Sequence, residues 1–174
     1  MSRSSYSDDY GDDYPGQLDL FRANVARSIR GKKGQARLRE LHAALLAMPV
    51  KELHADTFVS PAGQACALGV WALAQHGGDI KAAQLVREDA DDEDIEAALP
   101  SWPTLVVKDL IYRNDDVADG RHTTVAVDGP RPHEWSSNGP YAYVEMTPHL
   151  RYVEVLRWVE GHLSTGVASD GSPR

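Results

Sequence analysis

Ten consecutive residues, Ala65-Cys66-Ala67-Leu68-Gly69-Val70-Trp71-Ala72-Leu73-Ala74, carry no charge. A helix that is apolar on every side has no face to offer to water, so it belongs at the centre of a core. The run is roughly half of what a bilayer span requires, which predicts a buried helix and not a membrane segment. His76 follows in the last turn, where the helix dipole favours a cation, and Gly77-Gly78 permit a left-handed cap. The rest of the chain must supply the faces that cover this helix.

Amphipathic segments do so. Leu18, Phe21, Val25 and Ile29 recur at three- and four-residue steps and predict a helix over about 18–30. Gly31-Lys32-Lys33-Gly34 breaks the period, and Leu38, Leu41, Leu45 and Met48 restart it until Pro49, which makes a helical hairpin with a basic tip. Val50 to Pro61 is a link without period. Ile80 to Val86 and Asp91 to Leu99 predict two short helices, the second with acids crowded at its start, where the dipole favours them. Pro103 suits a first helical turn, and Val106, Val107, Leu110 and Ile111 supply a buried side up to Asn114. Thr147-Pro148 opens the last amphipathic helix, built on Leu150, Val153, Leu156, Val159 and Leu163 with Trp158. Between these two, residues 117–146 carry Gly and Pro punctuation and two β-type runs, Thr123 to Val127 and Tyr141 to Met146, which predict a hairpin-like excursion.

At 174 residues the chain has one domain's length, and 42% hydrophobic with 25% charged residues is ordinary globular usage, which excludes a wholly disordered or low-complexity chain. A single cysteine excludes an internal disulfide. The acidic, polar start lacks the basic and apolar regions of a signal peptide, so a cytoplasmic location is expected. The formal net charge of −8 opposes generic affinity for nucleic acid, but the charge is segregated. Residues 6–14 repeat Tyr-x-Asp-Asp with no aliphatic residue and predict a flexible acidic arm over 1–17. Leu20 to Arg39 holds no acid and seven of the eighteen bases, whereas Glu88 to Glu96 holds seven acids in nine positions and no base. Past Leu163, Ser, Gly and Asp predict a disordered tail over 164–174.

Several blocks, taken in order, carry a resemblance. Ser28-Ile29-Arg30-Gly31-Lys32-Lys33-Gly34-Gln35, then Leu38-Arg39-Glu40-Leu41 with Ala47-Met48-Pro49, Cys66-Ala67-Leu68-Gly69, Asn114-Asp115, and Thr147-Pro148 ahead of a Trp-containing helix resemble a group of small proteins from bacteriophages and prophages. The Tyr-Ser-Asp-Asp start is similar as well. The resemblance covers most of residues 4–163, and the chain departs from it in the 117–146 excursion, which is much shorter in the group. The group has no established activity, so the resemblance implies a helical fold and a phage setting and supplies no catalytic residue. Phage accessory proteins often bind and inhibit or redirect host machinery, which is an analogy at the level of class.

Arg22, Arg27, Arg30, Lys32, Lys33 and Arg37 form the strongest chemical feature, because basic side chains around a helix N-terminus suit a nucleic-acid backbone. Gly-x-x-Gly between helices is similar to the loop of KH modules, although no strand precedes it here. The same charges would otherwise be a solvated face, neutralised by the arm or by the 88–96 acids. His133, Trp135, Tyr141 and Tyr143 place aromatics on the excursion, as binding hot spots do, against the alternative that they pack the hairpin onto the helices. Cys66 at the start of the buried helix is placed for a lowered thiol pKa, or else is a small core hydrophobe. Asn114, on the apolar side of its helix, is expected to cap or bridge a neighbouring turn. The Asp115 to Gly120 stretch fails as a calcium loop, since Val117 stands where an oxygen ligand is needed and Ala126 where a bidentate Glu is needed. No two histidines share a helical step and no cysteine pair exists, so no metal site is expected.

The fold class expected is mainly α, a single-domain helical bundle of five to seven helices over 18–163 with a short β-hairpin-like excursion. The function expected is that of a phage or prophage accessory protein, a host-factor or defence inhibitor that binds a host or phage protein without catalysis or cofactor, in the cytoplasm of the host cell. The alternatives are nucleic-acid binding through the hairpin 22–39 and a Cys66-dependent enzyme. The oligomeric state is left open.

Overall fold

A computed structural model describes residues 15–87, 90–115, 123–126, 141–144 and 147–163. Seven helices stand among them: α1 (Pro15–Arg30), α2 (Lys32–Ala47), α3 (Ala67–Gln75), α4 (Ile80–Ala83), α5 (Asp92–Ala98), α6 (Thr104–Asp115) and α7 (Pro148–His162). The protein is mainly α. Helices α2 and α6 organise the rest: α2 packs on α1, α3 and α7, and α6 on α1, α3, α5 and α7. The stripes read for α2 and α6 are the buried ones, with Leu38, Leu41 and Leu45 fully inaccessible on α2 and Val106, Val107 and Leu110 at 1% exposure or less on α6. Each such side chain contributes about 1.5–3 kcal/mol on burial, a large part of a domain's net stability. On α7, by contrast, the buried side is Arg151, Tyr152, Val155, Trp158 and Val159, and Leu150, Val153, Leu156 and Leu163 of the expected stripe are only half-buried.

Several boundaries differ from the sequence expectation, each for a local reason. Helix α1 begins at Pro15, inside the segment expected to be arm, with proline at a position where its missing N–H costs nothing. The basic tip is not a four-residue turn: only Gly31 lies outside the helices, in extended geometry (φ −67°, ψ 155°), and Lys32 and Lys33 already belong to α2. The apolar run enters α3 only at Ala67, because Ala65 pairs with Val59 in a β-bridge and Cys66 is the N-cap. Ala65 to Ala72 are buried, Leu73 is half-buried and Ala74 is exposed, so all but the last two residues of the run lie in the core. His76 is the C-cap, and Gly77 and Gly78 both take positive φ, with Gly78 N–H donating to the Leu73 carbonyl at 2.8 Å and Gly77 N–H to that of Ala74 at 3.3 Å. These bonds form the Schellman closure that two glycines allow. Helix α4 stops at Ala83, three residues short of Val86. Asp91 and Thr147 cap α5 and α7 through their side chains, accepting from Asp94 N–H at 2.9 Å and Leu150 N–H at 3.2 Å.

The aperiodic link between α2 and α3 is tied at both ends. Leu53 N–H donates to the Pro148 carbonyl, His54 N–H to that of Ala65, and Cys66 N–H to that of Thr57. It buries Leu53, Phe58 and Val59. Arg151 of α7 is itself buried and donates through Nη1 to the Leu53 carbonyl at 3.0 Å.

Strands β1 (Thr123–Ala126) and β2 (Tyr141–Val144) pair antiparallel, with Thr123 opposite Val144 and Ala126 opposite Tyr141. The rest of the expected excursion, the acidic arm over 1–14, the 164–174 tail, and Glu88 and Asp89 lie outside the described residues.

Candidate functional site

The Gly31-Lys32-Lys33-Gly34-Gln35 block is first an architectural device. Gly34 sits where a Cβ would come within 2.4 Å of the Ser28 carbonyl oxygen and 2.8 Å of Ile29 Cα, so only glycine lets α2 turn back against the end of α1 after one residue. One position on, the buried Gln35 amide donates to the Ile29 carbonyl at 3.1 Å and to the His162 carbonyl at 2.9 Å. The last carbonyls of a helix have no partner of their own, so one side chain satisfies the C-terminal ends of α1 and α7 together. The angle between α1 and α2 is thereby set.

The second block is built in the same way. Cys66 Sγ accepts from the Gly69 N–H at 3.5 Å, and a Cβ on Gly69 would lie 1.7 Å from the Phe58 carbonyl oxygen. Asn114, 1% exposed, accepts from the Ala67 N–H through Oδ1 at 3.2 Å and donates through Nδ2 to the His54 carbonyl at 2.8 Å. The Cys66 thiol is 7% exposed and borders, with Asn114 and Leu110, a void of about 10 Å³. That is about one water molecule's space. A substrate has no room there, and Cys66 serves as cap and core residue.

The structure divides the six cations of the hairpin. Arg37 turns inward: its Nη1 donates to Glu40, its guanidinium lies 5.8 Å from the Trp71 ring centre, and Glu40 also accepts from Trp71 Nε1 at 2.9 Å. Trp71 in turn meets Trp102 edge to face at 5.5 Å. Lys33 reaches across to the Pro100 carbonyl at 3.0 Å, between α5 and α6. Arg22, Arg27, Arg30 and Lys32 are exposed, as is Arg39. Arg27, Arg30, Lys32 and Arg39 make no ion pair or side-chain hydrogen bond with any described residue. Among the described acids of the 88–96 block, Asp91 caps α5 and Glu96 pairs with Lys108 at 3.1 Å, and none of them meets a hairpin cation.

His133 and Trp135 lie outside the described residues, and Tyr141 and Tyr143 are described as β2 backbone only. A feature absent from the sequence reading is a groove of about 460 Å³ between the end of α2 and α3, bordered by Met48, Val50, His54, Val70 and Leu73. The signal for it is Val50, an aliphatic residue off the helical stripe that stands 59% exposed. Among the described residues no group of three or more His, Cys, Asp or Glu is placed to hold a metal ion, and no helix is long and apolar enough to cross a membrane. Comparison with protein-family models, with curated proteins and with solved structures returns no match.

Proposed function

We propose that this chain is a non-enzymatic binding protein and that the α1–α2 hairpin is its docking surface for the phosphate backbone of a nucleic acid. One observation carries this: Arg27, Arg30, Lys32 and Arg39 are exposed cations without an acid partner among the described residues, on a stretch of twenty residues that contains no acid. Segregation of this kind outweighs the sign of the net charge, because the field at a surface is set by charges within about 8–10 Å at physiological salt. The motif blocks support the division of labour. Gly34, Gln35, Gly69 and Asn114 are used to bring segments together and Cys66 and Thr147 to cap helices, which leaves the exposed cations without an architectural task. The phage or prophage setting belongs to the same proposal and is supported by the resemblance of those blocks.

Retention of the full chain on immobilised nucleic acid tests the proposal. The wild-type protein is expected to be held at low salt and released by a salt gradient, and Lys32→Glu with Arg39→Glu to elute much earlier with an unchanged circular dichroism spectrum. Passage of the wild-type protein straight through at low salt overturns the proposal.

A further inference from the structure

Resting on the backbone-binding role just proposed, we infer that the hairpin takes duplex nucleic acid in preference to single strands. The first ground is geometry. The close approach of Gly34 to Ser28 and Ile29 and the double bond of Gln35 to the ends of α1 and α7 hold the two helices at one angle. Arg27 and Arg30 on α1, and Lys32 and Arg39 on α2, are therefore carried on two helices whose relative orientation these contacts set. Lys32 and Arg39 are seven residues apart, two turns along the same flank, which is about 10.5 Å of helix axis. A duplex presents phosphates at set positions and rewards such an arrangement, whereas a single strand has to be ordered as it binds.

The second ground is chemistry. Proteins that hold single strands stack bases on aromatic rings, and residues 22–47 contain no Phe, Tyr or Trp. Phe21 packs against the core, and Trp71 and Trp102 are buried against each other. Residues 22–47 therefore offer exposed cations and no aromatic ring for a base to stack on.

Fluorescence anisotropy of the full chain with a 24-base-pair DNA duplex, an RNA duplex of equal length and their separated strands tests this. Both duplexes are expected to bind at least about tenfold more tightly than the strands. Four phosphate contacts imply a log–log salt slope of about −3.6 and a loss on the order of a hundredfold between 50 and 200 mM salt. Lys32→Ala with Arg39→Ala should reduce that slope by about two. Strands bound as tightly as duplexes would overturn the duplex preference and leave backbone binding standing. Absence of binding to every probe would overturn both the inference and the function it rests on.

Discussion

Asn114 of α6 holds the N-terminus of α3 by accepting a hydrogen bond from the Ala67 N–H at 3.2 Å, and the other end of the same amide donates to the His54 carbonyl at 2.8 Å. One buried side chain thus fastens α6, α3 and the 50–66 link. Truncation to Asn114→Ala leaves a buried donor and a buried acceptor unpaired, each at about 1–3 kcal/mol. A loss of about 2–5 kcal/mol is expected, seen as a lower midpoint of urea unfolding with an unchanged slope.

The glycines separate close approach from backbone conformation. Gly69→Ala would place a Cβ 1.7 Å from the Phe58 carbonyl oxygen, a contact that only movement of the link or of α3 can relieve. A loss of more than about 3 kcal/mol, or failure to fold, is expected. Gly78→Ala meets nothing within 4 Å, yet asks alanine to take φ +86°. That change should cost about 1–2 kcal/mol by thermal unfolding and leave the fold intact.

Arg37 and Lys32 stand five residues apart and are expected to fail in different assays. Arg37→Ala removes the partner of Glu40 and the cation above Trp71, so the melting temperature should fall by a few degrees, about 1 kcal/mol, with the salt dependence of nucleic-acid binding unchanged. Lys32→Ala, exposed and without a partner among the described residues, should leave the melting temperature where it is and reduce the salt slope by about one.

Cys66 provides a probe of opening. Its thiol is 7% exposed and accepts the Gly69 N–H, so alkylation of the native protein should proceed at the rate set by unfolding and accelerate in urea. Cys66→Ser keeps an acceptor at the N-cap and should be milder than Cys66→Val, which keeps the bulk and removes the cap, by about 1 kcal/mol. Rapid, selective alkylation without denaturant would contradict this account of the site.

The stripes of α1 and α2 were legible because their period is local: Val25, Ile29, Leu38, Leu41 and Leu45 are buried as their spacing implies. The expected role of Asn114 followed from a polar residue on an apolar side, and the tertiary structure supplies its partners, Ala67 and His54. The tip between α1 and α2 was less legible. Two glycines three residues apart read as a loop, whereas Gly34 is a helical residue whose missing side chain admits the end of α1. Nothing local distinguishes a glycine needed for flexibility from one needed for contact.

Charge followed the same division. Order along the chain determined that residues 20–39 would be basic and 88–96 acidic, and that the apolar run from Ala65 would be central. Only the tertiary structure decided which cations are taken. Arg37 is drawn to Trp71 and Glu40, and Lys33 to Pro100, because α3 and the α5–α6 turn pack beside that flank of α2. Arg27, Arg30, Lys32 and Arg39 keep their charge in solvent, since the contacts that would neutralise them depend on neighbours distant in sequence, and the fold places no described acid there.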